Sequence, residues 1–280
     1  MSSFQLYNQV TAEASKQTTL SYSSSFSLAI KLLHKDLRQP IYDIYGLVRF
    51  ADEIVDTFHD FDKASLLAQF KKDTYLAIAQ GVSLNPILHR FQMTFRKYNI
   101  DFELVDAFFK SMEMDLNKQD YDETTYQTYI YGSAEVVGLM CLQIFCDGDK
   151  ANYEQLKPAA QRLGAAFQKV NFLRDIKADY EGLERMYFPN CDFSNFKEED
   201  KLVIEADIQS DFSAALEGIK GLPLKARFGV YVAYKYYYTL FKKIKNTQHH
   251  SILKMRIRIP DYKKLLILAT ASVRSQLNLF

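Results

Sequence analysis

The chain has no tryptophan, three cysteines, ten glycines and six prolines in 280 residues, and almost no net charge. Each scarcity excludes something. Cys141, Cys146 and Cys191 are an odd number without metal-site spacing, so neither a disulfide framework nor a zinc site is expected, and Cys141 and Cys146 read as core thiols of a cytoplasmic protein. So few glycines and prolines argue against a β-sandwich or a Rossmann sheet with its many tight turns. Lys+Arg of 35 against Asp+Glu of 34 leaves no basic field for nucleic acid, which is not an expected partner. The N-terminus lacks the basic start and apolar run of a signal peptide, and no stretch reaches the ~18 apolar residues of a membrane span.

What is present is a helical apolar period almost throughout. Ile41, Ile44, Leu47, Val48, Ala51, Ile54, Val55 and Phe58 carry it in one segment, and Leu104, Ala107, Phe108 and Met112 in another. Breaks are expected at 35–40, 81–86, 99–101, 147–152, 182–200, 221–223 and 246–250, which gives roughly eight to ten helices. No repeat and no linker divides the chain. The fold expected is a single all-α domain over residues 1–280. The long irregular stretch at 182–200 is placed at the mouth of the site, as a lid.

Two Asp-x-x-x-Asp spacings stand out: Arg49-Phe-Ala-Asp52-Glu-Ile-Val-Asp56 and Asn171-Phe-Leu-Arg174-Asp175-Ile-Lys-Ala-Asp179. Residues four apart share a helix face, so each copy sets two carboxylates side by side against their mutual repulsion. Mg²⁺ is typically held by one or two carboxylates, with phosphate and water completing its shell, so two such helices facing each other would hold metal ions and a diphosphate. On the first helix Tyr45, Arg49, Asp52 and Asp56 lie opposite Leu47, Ala51, Ile54 and Phe58, which an ordinary surface helix would also do. On the second, Gly164, Gln168, Asn171, Asp175 and Asp179 form a narrow polar stripe bounded by Ala165, Phe172 and Ile176 on one side and Phe167 and Ala178 on the other. That narrowness suggests a helix lining an internal polar cavity.

Three further features bear on the same chemistry. The run Ser23-Ser24-Ser25-Phe26-Ser27 precedes an apolar helix; it serves either as an N-cap, which needs one serine, or as a phosphate contact. Gly132, Ser133, Ala134 and Gly138 leave room beside a helix backbone for another helix or for a ligand, with Glu135 either in the cavity or at the surface. The 21 Phe and 19 Tyr are mostly core, yet aromatic faces also stabilise cations of the kind formed when an allylic diphosphate ionises.

Taken together, Ser23-Ser-Ser25-Phe26-Ser27, Tyr45-x-x-x-Arg49-x-x-Asp52-x-x-x-Asp56, Tyr131-x-x-Ala134-x-x-Val137-Gly138, Gln168-x-x-Asn171-x-x-Arg174-Asp175-x-x-x-Asp179 and Arg185-x-Tyr187-x-Pro189 resemble the squalene and phytoene synthases, in that family's order. The resemblance runs from about Ser21 to Arg256-Ile-Arg-Ile and is closest to bacterial phytoene synthase. It implies the isoprenoid synthase fold, with a central cavity between the two Asp-rich helices. It implies Mg²⁺ on Asp52, Asp56, Asn171, Asp175 and Asp179, and prenyl diphosphate held by Ser23, Ser24, Ser25, Tyr45, Arg49, Gln168, Arg174 and either Tyr237 or Tyr238. The reaction implied is head-to-head condensation of two geranylgeranyl diphosphates through a cyclopropylcarbinyl diphosphate to phytoene, without NADPH. Farnesyl diphosphate leading to dehydrosqualene or squalene is the alternative, and a non-catalytic relative the rival from another class. The serine run lacks the basic residue some relatives have, and Glu135, Lys169 and Lys177 depart from the usual pattern. The segment 249–280, with Arg256, Arg258, Lys263, Lys264 and Arg274 among apolar residues, reads as a packed helix or as a peripheral membrane contact.

Overall fold

In a computed structural model the described backbone comprises all residues except 118–120, 183–186, 190, 192–195, 254–255 and 277–280, and the side chains of 177–182, 261, 265 and 272–276 also lie outside the description. No strand occurs among the described residues. The helices are α1 (Ser3–Tyr22), α2 (Ser24–Lys31), α3 (Lys35–Asp56), α4 (Lys63–Gln80), α5 (Pro86–Tyr98), α6 (Phe102–Met114), α7 (Glu123–Ile130), a π-helical turn (Tyr131–Glu135), α8 (Val136–Cys146), α9 (Lys150–Gly182), α10 (Glu198–Gly221), α11 (Leu224–Lys245), α12 (His249–Ile252) and α13 (Asp261–Gln276).

Local chemistry sets most of these boundaries. The Ser2 and Gln5 side chains form a capping box at the start of α1, Ser23 caps α2, Asp62 caps α4, and Asn85 followed by Pro86 opens α5. Gly81 at φ 74° closes α4 and Asn99 at φ 49° closes α5, both in the left-handed conformation that ends helices. Most expected breaks are present; the one at 35–40 is not, because α3 begins at Lys35 and runs through Pro40. A proline there loses the bond to the Asp36 carbonyl and crowds it, yet the helix continues through it because Leu37, Ile41, Ile44 and Leu47 bury their side chains in the core. The helix start expected at the serine run is present at Ser23, whereas breaks after Asp56, after Met114 and between α12 and α13 were not expected, so the described residues form more helices than the eight to ten expected; Phe58, assigned by periodicity to the α3 core face, lies beyond the helix and is 37% exposed.

Two apolar clusters hold the bundle. One joins α2 to α6 with α8, through Leu47, Ala51, Phe91, Val105, Phe108 and Met140; the other joins α7 and α9 to α13, through Ala166, Val170, Phe212, Tyr231 and Phe241. The stretch Glu123–Cys146 is long and apolar enough to cross a membrane by length and composition, which the sequence reading had not anticipated. Its residues Ile130, Val136, Leu139, Met140 and Ile144 are each fully buried against other helices, as in a core element. Burial pushes the thiols to about 12 at Cys141 and about 11 at Cys146, leaving both as core thiols.

Candidate active site

Ser23 links the serine run to the first Asp-rich helix. Its Oγ accepts from the Phe26 amide at 3.2 Å, the capping role, and its hydroxyl also bonds the Tyr45 phenol. Tyr45 is half-buried on α3, and burial, opposed by the nearby Arg49 charge, pushes its pKa to about 12, so it remains a hydrogen-bonding phenol at neutral pH. One turn on, Arg49 pairs with Glu53 and lies 4.3 Å above the Tyr22 ring, while its buried Nε has no partner. Asp52 follows on the same face, close enough to Tyr45 to act on its charge, and Asp56 closes the helix.

On α9, Asn171, Arg174 and Asp175 are partly buried one turn apart. Arg174 donates to Asp175 through Nε at 3.1 Å and Nη2 at 2.5 Å. Burial works against the Arg174 charge, but the Asp175 bond and charge outweigh it and hold the guanidinium above its ordinary pKa. A second guanidinium reaches the same carboxylate: Arg256 Nε stands 2.7 Å from Asp175 Oδ1. Gln168 lies one turn before Asn171 and is half-buried. The Asp179 side chain and Arg185 lie outside the described residues.

Phe26 and Tyr237 stand between these two helices. The Phe26 ring lies 6.1 Å from Tyr45 on α3, 6.3 Å from Phe167 on α9 and 5.8 Å from Tyr237 on α11. Tyr237 is bonded by the Asn171 amide and feels the charges of Arg174 and Asp175; burial raises its pKa. The Tyr238 hydroxyl instead donates to Gln209 of α10 at 3.4 Å. Contacts through Ser23, Tyr45, Phe26, Tyr237 and Asn171 therefore link α2, α3, α11 and α9.

Among the described residues no three of His, Cys, Asp and Glu cluster tightly enough to hold a metal by themselves. The donor set nonetheless fits a hard cation that shares its shell with a phosphate. The Asn171 Oδ1 is buried without a hydrogen-bond partner, a condition costing about 1–3 kcal/mol, and an amide oxygen one turn from a carboxylate is a ligand pair that Mg²⁺ takes.

Several roles were not legible beforehand. Arg256 and Lys264, read as part of a basic tail, face the site: Lys264 Nζ is 2.9 Å from Ser24 Oγ and 5.9 Å from the Tyr236 ring centre, bringing a cation to the serine run that lacks one of its own. Gly164 is not part of a polar cavity wall. A Cβ there would stand 2.6 Å from the Ala134 carbonyl oxygen, so the glycine exists to let α9 press on the π-helical turn. Glu135 accepts from Gln161 at 3.0 Å, its pKa raised by burial, and belongs to the contact of the π-helical turn with α9, within reach of the charges of the α9–α10 contact. In the α9–α10 contact a further Asp-x-x-x-Asp pair, Asp207 and Asp211, carries Lys169 Nζ at 2.5 and 2.7 Å. The ammonium occupies the place a metal would take, so this pair is a structural lock. The Tyr187 hydroxyl contacts Asp115 at 3.4 Å, and its ring stacks on Phe172 at 4.0 Å, next to Asn171. Tyr187 of the Arg-x-Tyr-x-Pro signature thus anchors the chain after α9 to the site helix.

The chain is 29% identical to presqualene diphosphate synthase of Rhodopseudomonas palustris, over 64% of this chain and 63% of that protein, just under two-thirds of the relative's own length. It is 25% identical to phytoene synthase of Arthrospira platensis over 94% of this chain and 93% of the relative. A crystal structure of a dehydrosqualene synthase has the same fold, with a TM-score of 0.84 at 21% identity and 99% of each chain covered. A family model for squalene/phytoene synthase matches residues 20–263, and the chain belongs to that family.

Proposed function

We propose that the protein joins two molecules of geranylgeranyl diphosphate head to head, through a cyclopropylcarbinyl diphosphate, to phytoene. The observation that carries the reading is the convergence of guanidinium, amide and carboxylate groups from α3, α9 and the 256 region around the Phe26 and Tyr237 rings. Members of the family are prenyltransferase-type enzymes that use a divalent metal with diphosphate substrates.

Asp52, Asp56, Asn171 and Asp175, with Asp179 as the remaining acid of the second motif, would hold Mg²⁺, which neutralises the leaving diphosphate. Arg49, Arg174 and Gln168 bind its oxygens, the arginines through planar charged hydrogen bonds. Ser24, Ser25 and Lys264 orient the second diphosphate at the start of α2. Tyr45 and Tyr237 stay protonated and position the reacting ends. Phe26 and its neighbours exclude water from the cation. Reaction ends by loss of a proton, so NADPH is not part of the scheme. The similarity to a presqualene diphosphate synthase favours one second reading, in which farnesyl diphosphate is the substrate.

The test is incubation of the purified protein with each prenyl diphosphate and Mg²⁺, without NADPH, followed by mass analysis of the organic extract. Phytoene is the expected product. Turnover of farnesyl diphosphate alone would favour the second reading, and silence on both would refute enzymatic activity of this type. Asp52→Ala and Asp175→Ala are expected to stay folded and to lose turnover by at least a hundredfold, the rate equivalent of roughly 3 kcal/mol; near-normal rates would overturn the metal assignment.

A further inference from the structure

The electrostatic problem left by departure of the diphosphate is the cation that stays behind. When the allylic C–O bond breaks, its electron pair leaves with the diphosphate oxygen, and positive charge spreads over the first and third carbons of the chain. That charge appears within a few bonds of the oxygen, hence about one helical turn beneath the residues that bind it. On α9 the two residues about one turn before Asn171 are Gln168 and, four positions back, Phe167. Its ring stacks on Tyr237 at 4.0 Å and 19°, and Phe26, which follows Ser25, meets it at 6.3 Å and 61°. Phe26, which sits between the two Asp-rich helices, and Phe167, which meets it from α9, are only half-buried, so part of each ring remains uncovered.

The composition of this wall matters chemically. An aromatic face is negative and attracts a cation, most strongly where water is excluded. A phenylalanine ring holds no lone pair that could capture the cation, whereas a carboxylate or a water molecule at the same level would. Stacking on Tyr237, whose hydroxyl is bonded by Asn171, fixes the Phe167 ring relative to the diphosphate-binding turn.

We propose that Phe167 is a cation-facing residue which, with Phe26 and Tyr237, forms the aromatic wall against which the allylic positive charge develops. This rests on the prenyl diphosphate reading above and adds to it a residue outside the motifs. The experiment places 4-fluoro-, 3,5-difluoro- and 3,4,5-trifluorophenylalanine at position 167 of the full chain and follows single-turnover ionisation of geranylgeranyl and farnesyl diphosphate with Mg²⁺. Fluorination withdraws charge from the ring face while nearly preserving its shape. The expected result is a stepwise fall in rate across the series, totalling about 3- to 30-fold, the rate equivalent of roughly 0.7–2 kcal/mol, with melting temperature unchanged. Phe167→Leu is expected to slow ionisation similarly and to raise the share of prenyl alcohol, the product of water capturing the cation with release of a proton. A flat fluorine series in an active enzyme would overturn the role of Phe167 alone. An inactive wild type would overturn the functional reading on which it depends, so the two failures are distinct.

Discussion

Replacement of Lys169 by methionine isolates the lock between α9 and α10. Lys169 and Asp211 have 3% and 1% of their side-chain surface exposed, while Asp207 is 52% exposed. Removing the ammonium leaves Asp207 solvated but strands Asp211, whose only other ion-pair partner among the described residues is Arg162 at 3.2 Å, itself 57% exposed and screened by solvent. Breaking a buried pair by removing one partner costs about 3–5 kcal/mol, and the surviving contact to Arg162 places this case near 3. For a chain of this size that is a fall of about 5–10 °C in melting temperature. The pH dependence has a definite sign. Burial already raises the Asp211 pKa against the pull of Lys169, and loss of that pull raises it further. The folded variant then binds a proton that the unfolded chain has released, so its deficit relative to wild type is largest at neutral pH and shrinks on acidification. Thermal and urea unfolding at pH 7.5 and pH 5 would measure both effects. A loss below about 1 kcal/mol, or a deficit that grows at pH 5, would refute the reasoning. The double variant Lys169→Met with Asp211→Leu is expected to recover most of the loss, because it buries no unpaired charge.

Two other predictions concern different parts of the bundle. Arg256→Ala removes a charged hydrogen bond to Asp175 from an exposed position; kcat/KM is expected to fall about 10- to 100-fold at unchanged melting temperature, and an unchanged kcat/KM would remove Arg256 from the site. His89 is fully buried: its Nε2 donates to the Asn8 amide oxygen at 2.7 Å, its Nδ1 accepts from the Ser83 amide at 3.3 Å, and burial with the neighbouring Arg90 lowers its pKa below 6.5. The unfolded chain therefore takes up the proton first, and stability is expected to drop as pH falls below about 6.5 with a slope of at most ~1.4 kcal/mol per unit. His89→Gln flattens that slope, as stability curves from pH 7.5 to 5 would record; an equal slope in the variant would exclude His89 as its source.

The sequence by itself determined the all-α architecture, since a 3.6-residue apolar period with few glycines and prolines has no other economical solution. Local capping chemistry placed most helix ends for the same reason: Asn85-Pro86, Gly81 and Asn99 act within their own turns. It also determined the two acidic motifs, because ordered patterns of Asp, Asn, Arg and Gln at i, i+3 and i+4 are visible without knowing what they face. It did not decide between ligand and lock. Asp207 and Asp211 have the same spacing as Asp52 and Asp56, and only the packing of α9 on α10, which brings in Lys169 from 38 and 42 residues away, distinguishes them. The arrival of Arg256 and Lys264 at Asp175 and Ser24 is likewise a tertiary fact. Basic residues in an amphipathic tail look alike in sequence whether they meet solvent, a membrane or an active site, and the path of the chain through 256–264 decides which. The aromatic wall was hidden for a related reason: in a chain of 40 Phe and Tyr residues, only the meeting of α2, α9 and α11 sets Phe26, Phe167 and Tyr237 apart from the core.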